Sequence, residues 1–147
     1  KPAAPAEQPC TGPEQLAALR TLPPGRIAAP IDIGAFAIPA TAHSALAAPY
    51  HRNNGGNAAM YRLFLGPERE ARAIIARHGI DYVAWCDGAF DEIDLAKDAA
   101  PDALVHRLRS DRAPAWLQPR PRGPLRVWSI APSRNGSVTL LRGTDRP

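Results

Sequence analysis

The densest run of chemically able side chains in this sequence is Tyr50-His51-Arg52-Asn53-Asn54, followed by Gly55-Gly56. A phenol, an imidazole and a guanidinium stand on consecutive residues. Arg52 can hold a phosphate or carboxylate through two parallel hydrogen bonds. His51 titrates near neutral pH and can move a proton. The paired glycines and the start of a following helix offer backbone N–H groups to an anion. The same residues also suit a purely structural turn. Asn53 or Asn54 is a standard helix N-cap, glycines permit the turn, and Arg52 has Asp32 and Asp87 as candidate ion-pair partners.

Other chemistries find less support. Asp32, His43 and His51 could be assembled into a zinc site, but no two histidines have a ligand spacing. Cys86 with His51 as base would make a nucleophile, yet the chain lacks a Gly-x-Ser-x-Gly elbow and any Walker or Rossmann glycine pattern. Asn135-Gly136-Ser137 matches a glycosylation sequon and reads better as a turn. The tryptophans Trp85, Trp116 and Trp128 each fall in a predicted strand, so packing is their first reading and a sugar platform the sharper one.

The elements that must position these residues are set by periodicity and punctuation. Thr11-Gly12-Pro13-Glu14 is a capping box that opens a short helix, Pro13 to Leu22, and Pro23-Pro24-Gly25 ends it. Arg26 to Ala29 reads as a strand. Asp32 can cap a short helix from Gly34 to Ile38. His43 to Ala48 is a second strand of small apolar residues, suited to a buried parallel position. Met60, Leu63 and Phe64 predict a helix over Asn57 to Leu65. Ala71, Ile74, Ile75 and His78 predict another after Gly66-Pro67, with acids in its first turn and Gly79 at its end. Ile80 to Cys86 is a strand, and Asp98 to Ser110 is predicted to be helical. Leu125–Ala131 and Val138–Arg142 flank an Asn-Gly turn and read as a hairpin.

Strand, helix, strand, helix pair, strand, helix and hairpin predict an α/β fold. It is a three-layer-like sandwich of short parallel strands with right-handed helical crossovers, plus a C-terminal antiparallel hairpin. In open α/β sheets, ligands bind beyond the carboxyl ends of the strands. Asp32, the Tyr50 to Asn54 run and Asp87 all come after such ends.

Composition narrows the class. The 147 residues suffice for one domain, and with aromatics at 6% the core must rest on Ala, Leu, Ile and Val. Arginine supplies nearly all of a net charge of +4. These arginines are interleaved with acids and lack aromatic platforms, which argues against nucleic acid. No apolar run reaches the roughly 18 residues of a membrane span. Residues 1–10 read as a Pro-rich linker from a removed portion, 11–143 as a single domain and 144–147 as a tail. The two cysteines, Cys10 and Cys86, pair in an oxidising compartment and stay buried thiols in a reducing one.

Several short motifs occur in a distinctive order. Leu22-Pro23-Pro24-Gly25 precedes a strand. Pro30-Ile31-Asp32-Ile33-Gly34 comes after it. Thr41 and His43 lead a second strand, which runs into Ala48-Pro49-Tyr50-His51-Arg52-Asn53, and a helix then leads into Gly79-Ile80-Asp81-Tyr82-Val83. This layout, from about Cys10 to Ile130, resembles the C-terminal extracytoplasmic domain of bacterial polytopic membrane proteins. Those proteins are similar to GT-C-type glycosyltransferases of the mannosyltransferase and oligosaccharyltransferase kind, which use polyprenyl-phosphate sugar donors. The resemblance implies a place on the periplasmic face of the bacterial inner membrane, a membrane portion before Lys1 as partner, and a Cys10–Cys86 disulfide. It also implies that the catalytic acids lie in membrane loops outside this chain. The Trp-Trp-Asp acceptor motif of oligosaccharyltransferases is missing, and Asp32-Ile33-Gly34 is a faint echo of it. The expectation is an accessory domain without cofactor or metal, positioning a glycan, a polyprenyl-phosphate-linked sugar or a partner. Its candidate contacts are Asp32, His43, Tyr50, His51, Arg52, Asn53 and Asn54. The alternatives are a stand-alone hydrolase or transferase using His51, Arg52 and Asp32, and a purely structural interaction domain.

Overall fold

The computed structural model describes residues 17, 19–30, 33, 41, 43–47, 54–120 and 125–131. Five strands form one sheet: β1 Arg26–Ala28, β2 Ser44–Ala45, β3 Tyr82–Cys86, β4 Leu117–Pro119 and β5 Leu125–Ile130. Their spatial order is β2-β1-β3-β5-β4. β1 pairs parallel with both β2 and β3, with Ile27 opposite Ala45 and opposite Tyr82. β5 runs antiparallel to β3 and to β4. The helices are α1 Asn54–Leu65, α2 Glu68–His78, a one-turn α3 Leu95–Asp98 and α4 Leu104–Arg109. The fold is α/β, with parallel strands followed by an antiparallel pair, as the sequence pattern predicts.

β3 shows why the sheet is central. All of its residues are buried, and they alternate between two cores. Val83 and Trp85 join the larger core with Met60, Leu63 and Phe64 of α1, Ala71, Ile74 and Ile75 of α2, and Leu104, Val105 and Leu108 of α4. Tyr82, Ala84 and Cys86 face a second core made with Leu19, Leu22, Ile27 and Ile33. The sheet is thus covered by helices on one face and by the segment before and after β1 on the other. Each face removes apolar surface from water, at about 25 cal/mol per Å2.

α2 forms as its caps require. Glu68 and Glu70 occupy its first turn and Arg77 and His78 its last, complementing the helix dipole. Gly79 ends it in the left-handed region, at φ 63, and its N–H bonds to the Ile75 carbonyl.

Several elements differ from the sequence expectation: β1 ends at Ala28 rather than Ala29, β2 is only Ser44–Ala45 and β3 starts at Tyr82 rather than Ile80. α1 starts at Asn54 rather than Asn57, so Gly55 lies in its first turn. First-turn N–H groups have no intrahelical acceptor in any case, which lets glycine enter there. The helix predicted over Asp98 to Ser110 is α4 alone, because Ala99 and Ala103 are extended. The Ala100 N–H instead bonds to the Leu65 carbonyl at 2.8 Å, satisfying the end of α1. Finally, β5 has β3 on one edge and β4 on the other at Trp128 and Ser129. Its antiparallel partner in the C-terminal half is therefore the earlier strand β4; Val138–Arg142 lies outside the described residues. β4 is the sheet edge. Two residues to either side of Gln118, the Trp116 carbonyl accepts from the Ala131 N–H and the Arg120 N–H donates to the Val127 carbonyl. Pro119, which has no N–H, takes the outward-facing position.

Candidate functional site

β1, β2 and β3 are parallel, so their carboxyl ends share one edge of the sheet. The strand ends there are buried: Ala28 closes β1 and Ala29 follows it, and Leu46 and Ala47 follow β2. Close packing of the backbones brings three chain exits together. Asp32, Tyr50, His51, Arg52 and Asn53 come after two of those exits in sequence and lie outside the described residues. Asn54 begins α1; the part of α1 packed beside the end of β3 is its C-terminal half, where Tyr61 meets Phe90 and Phe64 meets Trp85. Asp87 comes after the third exit, with its side chain 92% exposed and 3.9 Å from Arg126.

α1 is held from behind. Met60, Leu63 and Phe64 are fully buried, and the Phe64 ring lies 5.7 Å from Trp85 on β3. Its first turn contains no acidic residue, in contrast to α2. The positive end of the α1 dipole is not offset by an acidic side chain in the helix's own first turn.

Beyond β3 the chain makes successive tight turns from Cys86 to Ile93. Phe90 sits there at φ 66 although it is not glycine. Such a backbone is held only where surroundings determine it. The Phe90 ring is wedged against Phe64 and Trp85, at 5.7 and 5.9 Å, and Tyr61, 39% exposed, lies 5.9 Å away. The Trp85 indole N–H is buried without a hydrogen-bond partner; its neighbours are aromatic rings, which are weak acceptors. Sequence reading missed this wedge. Its only sequence signal is an aromatic, Phe90, inside an otherwise acidic turn.

His43 lies elsewhere. It precedes β2, at the amino-terminal edge of the parallel strands, and is 5% exposed. The Gly25 N–H donates to its Nδ1 at 3.1 Å, and its Nε2 donates to the Leu19 carbonyl at 2.6 Å. The ring is held as the Nε2–H tautomer. Its edge packs on Tyr82, whose hydroxyl donates to the Pro23 carbonyl at 2.8 Å. Both ring nitrogens serve the fold, which removes His43 from the ligand-binding set and from any zinc site with Asp32 and His51. Among the described residues, no three His, Cys, Asp or Glu side chains are grouped to hold a metal ion.

Near the same edge, Arg26 Nη1 donates to the His78 carbonyl at 3.3 Å, and the Arg26 N–H donates to Asp81 Oδ2 at 2.9 Å. Burial, with the guanidiniums of Arg26, Arg77 and Arg62, holds the His78 imidazole below its ordinary pKa. Cys86 is buried in the second core, and the described residues contain no free cysteine. Its expected partner, Cys10, lies outside the described residues.

No family model and no curated protein match this chain. A solved structure does: the crystal structure of the C-terminal globular domain of an oligosaccharyltransferase from Archaeoglobus fulgidus. The superposition gives a TM-score of 0.63 and covers 85% of this chain and 99% of that one, at 13% identity. The two share a fold. That fold is the one the motif layout implies, and at this identity the likeness extends to architecture alone. Among the described residues no helix is long and apolar enough to cross a membrane.

Proposed function

We propose that this chain is an accessory extracytoplasmic domain of a GT-C-type, glycosyltransferase-like membrane protein. It does not carry out catalysis itself. It stands on the periplasmic face of the bacterial inner membrane, against its own membrane portion, and positions a glycan or a polyprenyl-phosphate-linked sugar. The contact is the carboxyl edge of the parallel strands, through Asp32 and Tyr50 to Asn54. The observation that carries this reading is the fold shared over nearly all of an oligosaccharyltransferase's globular domain. The edge itself adds support through the exposed carboxylate of Asp87. A Cys10–Cys86 disulfide belongs to the same proposal. It suits an oxidising compartment and ties the segment before β1 to the end of β3.

Titration of the chain with a lipid-linked oligosaccharide, followed by backbone amide shifts, tests the reading. The expected result is a saturable set of shifts at Asn54, Gly55, Asp87 and Gly88 that Arg52→Ala removes. Shifts clustered around Gly25 and His43, or none at all, would overturn it.

A further inference from the structure

A cavity of about 310 Å3 opens between the 111–113 loop and the β4–β5 pair. Its size is at the lower end of the range for ligand pockets, roughly 300–1,000 Å3. Among the described residues, those that line it include Asp111, Arg112, Arg120 and Arg126, and Leu117 and Trp128 give it an apolar side.

These charges are not equivalent. The Arg126 side chain is only 13% exposed. It donates to Asp111 Oδ1 at 2.5 Å and to the Leu108 carbonyl at 2.7 Å, and it lies over the Trp128 ring at 5.5 Å. Asp111 is fixed in turn at φ 59, with its N–H on the Leu108 carbonyl. Arg126, paired with Asp111 and 3.9 Å from Asp87, is offset by carboxylates and forms a rigid wall. Arg112 and Arg120 remain. Each has an anchored backbone: the Arg112 N–H bonds to the Arg107 carbonyl, Arg107 Nε donates to the Arg112 carbonyl, and the Arg120 N–H bonds to the Val127 carbonyl. Both side chains are exposed, and among the described residues neither has an ion-pair or hydrogen-bond partner. Two like charges held on one cavity from separate elements repel each other unless an anion lies between them.

We propose that this cavity binds a phosphate-bearing group, with Arg112 and Arg120 as its two clamps. A guanidinium fork matches phosphate oxygens bidentately, and two forks from separate elements suit a diphosphate or a phosphodiester. Trp128 and Leu117 accept the organic part attached to it. The inference stands on the cavity and its charges, independently of the reading given for the carboxyl edge.

Calorimetric titration with inorganic pyrophosphate and sedimentation with phosphatidylcholine vesicles, with and without phosphatidylglycerol, separate a soluble phosphate from a lipid headgroup. Both are run at low ionic strength, about 50 mM, where screening is weak. The expected result is saturable binding to at least one phosphate source, weakened about tenfold or more by R112Q/R120Q. R69Q/R77Q, which removes the same charge from exposed positions on α2, should leave that binding unchanged. Loss confined to the pyrophosphate arm assigns a soluble ligand, and loss confined to the phosphatidylglycerol arm assigns a headgroup. An equal loss in the two double variants, or no saturable binding in either arm, overturns the proposal. Near-ultraviolet circular dichroism checks that both variants keep the native packing.

Discussion

At the amino-terminal ends of β1, β2 and β3, polar groups bond to one another. His43 bridges Leu19 and Gly25, Tyr82 reaches Pro23, and Asp81 holds the Arg26 amide. Arg26 Nε is the one buried side-chain nitrogen there without a partner among the described residues. At the carboxyl-terminal end of β3, Asp87 is 92% exposed. The sheet is common to both edges, so the difference comes from the segments that flank each strand. A buried polar group without a partner costs roughly 1–3 kcal/mol, so the buried amino edge must satisfy its own donors and acceptors. At the carboxyl edge the Asp87 carboxylate is left largely to water.

The largest break in this comparison is at His43. His43→Ala should lower stability by about 2–4 kcal/mol, because the Gly25 amide and the Leu19 carbonyl lose their partners and a cavity opens. Urea unfolding measures it, and a loss below about 0.5 kcal/mol would show that the ring is dispensable to the fold. Next come two glycines with opposite expectations. A Cβ at Gly25 would stand 2.8 Å from Asp81 Oδ2 and 2.9 Å from the Tyr82 ring. Gly25→Ala should therefore cost about 1–3 kcal/mol through overpacking. A Cβ at Gly55 meets nothing within 4 Å, in the first turn of a helix. Gly55→Ala should raise stability by about 0.5–1 kcal/mol. If the same variant weakens binding of a lipid-linked oligosaccharide, Gly55 serves the ligand rather than the fold; thermal melts and titrations of both variants decide.

The smallest effect is pH dependence at the amino edge. The folded His78 imidazole binds its proton less readily than the unfolded one, whose pKa is about 6.5. Its neutral form thus favours folding above that value, and the contribution fades as pH falls through the folded pKa below it. His78→Asn should flatten the fall in stability between about pH 7.5 and 5.5 relative to the parent. An unchanged or steeper slope would remove His78 from the account.

How much of this is legible in the sequence depends on the range of the interactions. β3 and α2 can be read directly, since a continuous apolar run and an i, i+3, i+4, i+7 pattern are local signals. The parallel order of β1, β2 and β3 comes from the alternation of strands and helices. The break before α4 is not readable, because it depends on the Ala100 N–H reaching Leu65. The antiparallel partner of β5 escapes for a related reason. An Asn-Gly turn is a strong local hairpin signal, but it carries no information that both edges of β5 are already occupied. His43 stands beside functional-looking residues in the sequence. Its partners are Leu19 and Gly25, 24 and 18 residues away, and only the fold brings them to it.

The central claim is that the two edges divide the work: one holds the fold and the other meets a substrate. The most direct measurement compares Arg52→Ala with His43→Ala in the membrane protein proposed to carry this domain, recording glycosyl transfer and the melting temperature of the isolated chain. The account predicts that Arg52→Ala impairs transfer while the melting temperature stays within about 1 °C of the parent, the shift expected when stability changes by only a few tenths of a kcal/mol. It predicts that His43→Ala lowers the melting temperature by several degrees. Equal losses of transfer and melting temperature for Arg52→Ala would contradict it.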